Sequence, residues 1–583
     1  MRSELVTALS QALAEATGWE ISRASSALTQ PKEFAHGDYA FACFGLAKER
    51  KLSPPACAAE LEAKLVLPAG IERAQIVGPY LNFFVERKAF ARDVLARSLF
   101  GPSPLKAVDE PKKFIVEYSS PNIAKPFHIG HLRTTLIGHS IDRILRSLGH
   151  EVISINHLGD WGTQFGFVYA GCALWGRPKE ENIFELVGMY VRASALKRAQ
   201  EEKTVPPEDS DKPDINQMAR DYFIKLEAND PEATEFWQWC LEISLRYLKD
   251  LYQRLGVHFD HYTGESFFRS KLNGVEKMLR ASGILQDSRG ALGVDLGKQL
   301  GFARVFTEDG RSLYITRDLA TADYRHQTYA ADKILYVVGA PQSQYFKQLI
   351  EIFKRMNHPV GERMVHVSYG NVPGISTRKS SGKDDRIWLH SLLDEAHERA
   401  LEAYRNQVEK KPDEVAGNQI DEERLAESVG LGAIFFNYLC RTNVKEFHFS
   451  WEEALSFQGD TGPYVQYAVA RINSIEARAA AAGIQPKAAC DTSALTDDAA
   501  HQVMLLLNRF QDVVEQAAQD YEPNHVASYV LDLAKSFSGA YRNLRVMGEP
   551  PEIATARLTL FKAVKETLKV GLGLIGVPVV ERM

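Results

Sequence analysis

The chain has 583 residues, 69 basic and 75 acidic, for a formal net charge of −6. At roughly 100–200 residues per domain this is about three to five domains, and the slight acidity excludes a bulk electrostatic hold on nucleic acid, leaving local patches and shape. No apolar run reaches the ~18 residues of a membrane span, the N-terminal stretch lacks the apolar core of a signal peptide, and six scattered cysteines with no CxxC argue against a disulfide framework or a Cys-rich zinc site and for a reducing cytoplasm.

In chain order, "MRSELVTALSQALAEATGWE" predicts an amphipathic helix. "IVGPYLNFFVE" (76–86) alternates like a strand after a turn at Gly78–Pro79. Pro and charge in "FGPSPLKAVDEPKK" (100–113) predict a linker. "KFIVEYS" (113–119) then predicts a strand, "LRTTLIGHSIDRILRSL" (132–148) a helix ending at Gly149, and "EVISINHL" (151–158) a second strand. In that helix Leu132, Leu136, Ile141, Ile144, Leu145 and Leu148 fall near helical spacing. Strand, helix and strand so close together imply a right-handed βαβ unit in a parallel sheet. Residues 167–300 read as a mostly helical insertion, with a polar stretch at 202–214. "KILYVVGA" (333–340) and "MVHVSYG" (364–370) predict later strands. After about 390 the pattern is almost all helix, with a loop or frayed helix end at 408–419 and a loop at 480–498.

"SSPNIAKPFHIGHLRTT" (119–135) occupies the turn between the first of these strands and its helix. In open α/β sheets ligands bind at the carboxyl ends of strands, and the first turn of a helix offers unpaired N–H groups to phosphate. Pro126 fits a sharp helix start and Gly130 leaves room for close approach. His128 and His131, at i and i+3, share a face, with the cation of Lys125 beside them. The residues alone leave three readings open: polar groups at a helix start, a phosphate site, or a metal pair. The last lacks the glutamate of HExxH and any nearby cysteine.

"HIGH" after a first strand resembles the signature of class I aminoacyl-tRNA synthetases. The longer "VEYSSPNIAKPFHIGHLRTTLIG" and the following "NHLGDWGTQFG" (156–166) resemble the arginyl-tRNA synthetase family, as do "HGDYAFACFGLAK" (36–48) and the terminal "VERM". The resemblance implies a Rossmann-like parallel-sheet catalytic domain at 110–390 with the helical insertion. It also implies an N-terminal α+β domain at 1–105 that contacts the tRNA elbow, a helical stem at 391–455 and an all-α anticodon-binding bundle at 456–583. The implied activity is two-step: arginine attacks the ATP α-phosphate, and the 2′-hydroxyl of the terminal tRNA adenosine then takes the arginyl group. The implied partners are ATP with Mg²⁺, arginine and tRNA(Arg). No structural zinc, no membrane and a cytoplasmic monomer are expected.

Gripping arginine takes carboxylates, an aromatic surface and groups for the α-ammonium and α-carboxylate. In "SLYITRDLATADY" (312–324), Tyr314 and Asp318 stand at i and i+4, on one face if this is a helix start. The resemblance places both in the guanidinium pocket, with Glu117 and Asn122 at the substrate's amino and carboxylate ends and Gln342 in the same pocket. Taken singly, Tyr314 reads equally as core, Asp318 as a cap, Asn122 as a turn residue, Gln342 as a helix-start polar group and Trp161 as packing. Glu117 is harder to set aside, since a buried carboxylate needs a partner. Residue 345 is tyrosine where the family usually has histidine. Lys125, His128, Gly130 and His131 are expected on the ATP phosphates. In place of KMSKS the chain reads "GISTRKSSGKDD" (374–385), with Ser376, Thr377, Arg378 and Lys379 as phosphate contacts and the usual second lysine out of register.

Residues 456–583 carry 12 basic and 14 acidic side chains. Base stacking on Tyr464, Tyr467 and Tyr541, with Arg471 and Arg545 as cations, is therefore expected there rather than a charged groove; core packing explains the same residues equally. The rival functions are a lysine- or cysteine-charging relative, a non-catalytic RNA-binding protein and a small-molecule nucleotidyltransferase. Tyr314, Asp318 and "SSPNIAKP" favour arginine among them.

Overall fold

The computed structural model describes residues 4–31, 36–101, 103–125, 127, 129–288, 290–307, 313–372, 388–410 and 421–583. They form two compact units. One holds Glu110–Gln407 and Asn437–Trp451; the other holds Met1–Asp109, Val408–Phe436 and Glu452–Met583.

In the second unit, β1 (Leu28–Thr29), β2 (Tyr39–Ala42), β3 (Ile71–Val77) and β4 (Tyr80–Val85) form an antiparallel sheet in the order β1-β2-β4-β3. Gly78, in the left-handed region at φ 56°, makes the hairpin turn between β3 and β4. The helix Glu4–Thr17 lies where its amphipathic pattern predicts. The all-helical part includes Gly462–Ala481, Asp498–Asn508, Phe510–Asp520, Asn524–Asn543 and Pro551–Leu574. Thr461 starts the first of these, its hydroxyl accepting from Tyr464 N at 3.2 Å with Pro463 in the first turn.

The other unit is built on a five-stranded parallel sheet. Its strands are β5 (Lys113–Glu117), β6 (Glu151–Asn156), β7 (His261–Tyr262), β11 (Lys333–Gly339) and β12 (Met364–Tyr369), in the order β12-β11-β5-β6-β7. Ile115, Val116, Ile334, Leu335 and Val337 are buried in its centre, the near-continuous apolar reading of a sheet covered on both faces. The helix Ile129–Ser147 crosses from β5 to β6, and Gly149 at φ 82° ends the turn that follows. From β5 the chain runs outward to β6 and β7, then returns to the other side of β5 with β11 and β12. The order therefore reverses between β5 and β11, which is where α/β sheets bind ligands.

The inserted segment is mostly helical but also carries short strands. Four long helices (Gln164–Trp175, Ile183–Glu202, Ile215–Glu227, Pro231–Leu255) fill its first part, three of them started by Asn182, Asp214 and Asp230 side chains. The long helices then stop. β7 rejoins the main sheet at 261, and β8 (Gln286–Ser288), β9 (Ala291–Asp295) and β10 (Phe302–Phe306) form a small antiparallel sheet. These strands are short and mix glycine, charge and apolar residues, so no helical or strand period stands out in them. Gly293 is held to glycine by close approach: a Cβ there would lie 2.3 Å from the Ala303 carbonyl.

Candidate active site

The turn after β5 is held in an unusual shape. Ser119, Ser120 and Ala124 have φ of 71°, 47° and 56°, the left-handed region that costs a non-glycine residue about 1 kcal/mol or more. Several side chains hold it there. Ser119 N donates to Thr134 Oγ1 at 3.3 Å, and that hydroxyl donates to the Val337 carbonyl of β11 at 2.7 Å. Ser119 Oγ and Tyr252 OH share a hydrogen bond of 2.7 Å, and Thr135 Oγ1 donates to Ser119 Oγ at 2.9 Å. Asn156 closes the network, accepting from Ser120 N at 3.2 Å and donating to Tyr252 OH at 2.9 Å. Ala124 N donates to Ser244 Oγ at 3.1 Å. Tyr252 and Ser244 come from the inserted helix Pro231–Leu255, a role their sequence surroundings do not signal.

Asn122 is exposed and pairs as an isolated parallel bridge with Gly159 of the "NHLGDWG" string. A Cβ on Gly159 would lie 2.2 Å from Asn122 Oδ1, so only glycine lets the two loops meet. Lys125 is half-buried, its Nζ 5.9 Å from the Tyr190 ring centroid, and makes no ion pair among the described residues. Gly130 is exposed in the first turn of the helix. His131 is half-buried and stacks on Phe127 at 4.9 Å, while the Phe127 carbonyl accepts from Leu389 N at 2.8 Å. The expectations at Pro126, His128, Ser376, Thr377, Arg378 and Lys379 lie outside the described residues. Trp161 is buried against Phe223 and Trp237, with the Arg269 guanidinium 3.9 Å from its ring centre, which is packing.

Glu117 ends β5 and the helix Tyr314–Tyr329 supplies the charges around it. Glu117 is buried in ion-pair contact with Arg325, itself 1% exposed. Arg317 pairs with Glu265 at 2.9 Å, both half-buried. The third carboxylate, Asp318, makes no ion pair among the described residues; it accepts a short hydrogen bond from the Tyr345 hydroxyl. Part of Asp318 still reaches solvent, but protein surrounds it closely. Burial pushes its carboxyl up to about 7; the Tyr345 hydrogen bond and Arg325 pull down, while Glu117 and Glu265 push up. Among the described residues, Glu117, Glu265 and Asp318 face two guanidinium groups, Arg325 and Arg317, which leaves one carboxylate without a cation of its own.

Tyr314 opens the same helix one turn before Asp318, 72% exposed, so its expected alternative as core does not hold. Gln342 is exposed at the end of the 3-10 turn Ala340–Gln342, directly after β11. Arg325, Glu265, Tyr345 and Tyr252 are absent from the sequence-based set. Arg325 had a signal, since it lies seven residues after Asp318, two turns along the same helix face.

Arg133 is 2% exposed and donates to the carbonyls of Gly370 (2.6 Å), Asn443 (2.8 Å) and Lys445 (2.8 Å). It ties the motif helix to the end of β12. In the other unit, Arg471 sits between two tyrosines, its guanidinium carbon 5.1 Å from the Tyr467 centroid and 5.0 Å from that of Tyr541. All three are half-buried. Tyr464 donates to Ser538 Oγ at 3.1 Å, and Arg545 is exposed. Tyr467, Arg471 and Tyr541 form one partly open aromatic–cation cluster, and Tyr464 is bonded instead to the helix Asn524–Asn543.

Among the described residues no helix is long and apolar enough to cross a membrane, and no three His, Cys, Asp or Glu side chains gather as a metal site.

Three family models match the chain: "tRNA synthetases class I (R), catalytic domain" over 97–451, "DALR anticodon binding domain" over 465–583, and "Arginyl tRNA synthetase N terminal domain" over 3–85. The arginine–tRNA ligase of Alkaliphilus metalliredigens is 37% identical over 559 residues, 95% of each chain. That of Halothermothrix orenii is 36% identical over 589 residues, covering 100% of this chain and 99% of the relative. The structure of Thermus thermophilus arginyl-tRNA synthetase superposes with a TM-score of 0.81 at 27% identity, over 99% of this chain and 100% of that one. A buried charge site at the sheet's switch point, a pinned turn before the "HIGH" helix and a match along the whole length lead to one conclusion: this chain belongs to the class I arginyl-tRNA synthetase family.

Proposed function

We propose that this chain is an arginine–tRNA ligase. It activates arginine with MgATP and passes the arginyl group to the 2′-hydroxyl of the terminal adenosine of tRNA(Arg). The observation that carries this reading is the charge balance: Arg317 and Arg325 pair with Glu265 and Glu117, and among the described residues Asp318 is left without a counter-cation. A guanidinium completes the count, with two donors for a carboxylate and a flat face for Tyr314. The ammonium of lysine completes the charge but not the fork.

In the first step the arginine carboxylate attacks the α-phosphate and pyrophosphate leaves. No protein atom becomes covalently attached; the site positions substrates and stabilises charge. Glu117 and Asn122 hold the α-ammonium and α-carboxylate. Gln342 lines the same pocket. Lys125, His128, Gly130 and His131 meet the phosphates, with Ser376, Thr377, Arg378 and Lys379 as further phosphate contacts. Mg²⁺ enters with ATP and screens its phosphates.

Residues 1–105 contact the tRNA elbow, 391–455 form a stem, and 456–583 read the anticodon, with Tyr467, Arg471 and Tyr541 as the stacking cluster and Tyr464 and Arg545 beside it. The enzyme acts as a cytoplasmic monomer.

The test is aminoacylation of purified tRNA with each of the twenty amino acids. Incorporation of arginine alone is expected; another amino acid in its place overturns the reading. Asp318→Asn is expected to raise the arginine KM roughly 30- to 100-fold, the loss of a charged hydrogen-bond partner, with the ATP KM nearly unchanged. Equal losses for both substrates would refute the pocket.

A further inference from the structure

We infer that Tyr345 is a positioning residue that sets substrate specificity. Its hydroxyl donates to Asp318 Oδ2, orienting the carboxylate so that the other oxygen meets the substrate guanidinium and favouring the charged form that selects a cation. The inference deepens the arginine pocket proposed above and rests on it.

Tyr345 lies in the first turn of the helix Ser343–Arg355, and Asp318 in the helix Tyr314–Tyr329. The tyrosine ring is held from below: it packs edge-on against Phe346 at 5.7 Å, and Phe346 stacks on His366 of β12 at 4.6 Å. Its hydroxyl position is therefore set by the sheet rather than by the substrate. Among the described residues, the two arginines near Asp318 are occupied by other carboxylates, Arg325 by Glu117 and Arg317 by Glu265. Asp318 is left, among the described residues, with a neutral donor, the Tyr345 hydroxyl.

That choice of donor has a chemical consequence. A cation at position 345 would supply a counter-charge and exclude the substrate. An apolar side chain would leave a crowded carboxylate with no donor, and protonation would then be the cheapest way to remove its charge. A phenol stabilises the anion without neutralising it. The groups facing Asp318 are Glu117, Glu265, Arg325, Tyr336 and Tyr345, and with burial dominant they set its carboxyl near 7. Below that pH a proton competes with arginine. Above it the anion is ready, and the neutral urea of citrulline lacks the charge to hold it.

The experiment is titration calorimetry of the full chain with arginine, citrulline and MgATP at pH 6, 7 and 8. The variants are Tyr345→Phe, Asp318→Asn and their combination. For the wild type, arginine binding is expected to weaken roughly tenfold per pH unit below about 7. Tyr345→Phe is expected to weaken arginine at pH 7 roughly tenfold, to move the pH dependence upward, to narrow the preference over citrulline, and to leave MgATP binding within twofold. In the Asp318→Asn background the same substitution is expected to change nothing. A Tyr345→Phe chain that binds arginine like the wild type overturns the inference. So does one that loses arginine and MgATP equally, or one that loses as much again in the Asp318→Asn background. A wild-type chain that binds MgATP but no arginine overturns the pocket itself, and this inference with it.

Discussion

Asp38 and His501 meet in the interior at 2.6 Å, although 463 positions separate them in the chain. The other Asp38 oxygen accepts from Val85 N at 2.8 Å, so both oxygens of a buried carboxylate are used, one on the N-terminal sheet and one on the helical bundle. Around the pair, Tyr39 OH accepts from Asn508 at 3.2 Å and Arg97 donates to Asn508 Oδ1 at 2.6 Å. The N-terminal domain and the bundle are thus docked through a polar interior rather than strung on a linker. His501→Ala is expected to lower the unfolding free energy by about 3–5 kcal/mol, the cost of stranding a buried charge. Urea denaturation followed by tryptophan fluorescence and by proteolytic cleavage within residues 1–109 measures it. An unchanged midpoint would show that the docking does not depend on this contact.

Glu117 and Arg325 form a second buried pair. Arg325→Met is expected to cost roughly 3–5 kcal/mol, and Glu117→Gln in addition is expected to recover part of that loss. A double-mutant cycle on denaturation midpoints is the check. Additive losses would mean that the two groups share burial but no coupling.

His139 lies on the helix Ile129–Ser147, 5% exposed, and neither ring nitrogen has a hydrogen-bond partner among the described residues. Burial, aided by Arg143, His258 and Arg146, pulls its pKa from 6.5 to about 3. The folded state therefore refuses a proton that the unfolded chain accepts. This penalty is absent above pH 6.5, and stability falls by about 1.4 kcal/mol per unit as the pH drops from there toward 3. His139→Leu is expected to gain about 2 kcal/mol relative to the wild type between pH 7.5 and 5. Denaturation at both pH values decides it; a pH-independent difference would mean that the ring is solvated.

Tyr252→Phe removes the hydroxyl shared by Ser119 and Asn156. The expected result is roughly a tenfold fall in kcat for adenylate formation, as the turn loses its support, with substrate KM values changed less. Single-turnover kinetics with saturating arginine, ATP and tRNA separates the terms. A rise in KM at constant kcat would point to a binding role instead.

His131→Ala is expected to slow adenylate formation by roughly 10²–10³, the size of effect seen when one donor to a developing oxyanion is removed. The arginine KM should change little. Transfer from preformed adenylate should also keep its rate, which a rapid-quench experiment reads directly.

The centre of the catalytic unit was legible because its physics is local. β5, β6, β11 and β12 are apolar runs between turn residues, and the helix Ile129–Ser147 shows its face through Leu132, Leu136, Ile141 and Ile144. The edge was not: β7 is two residues long, and β8–β10 carry too little apolar periodicity to distinguish them from the insertion's helices. At the site, Glu117 and Asp318 could be named from their neighbours, but the partner of each could not. Tyr345 read as a departure from the family pattern, whereas its meaning lies in a contact 27 residues away. The docking of Asp38 on His501 has no local signature at all.

The left-handed backbone at Ser119, Ser120 and Ala124 carries a lesson for protein engineers. Copying "SSPNIAK" into another parallel sheet would transfer its letters without its curvature. The shape is borrowed from Thr134, Asn156, Ser244 and Tyr252, and a graft lacking those four would relax into an ordinary connection.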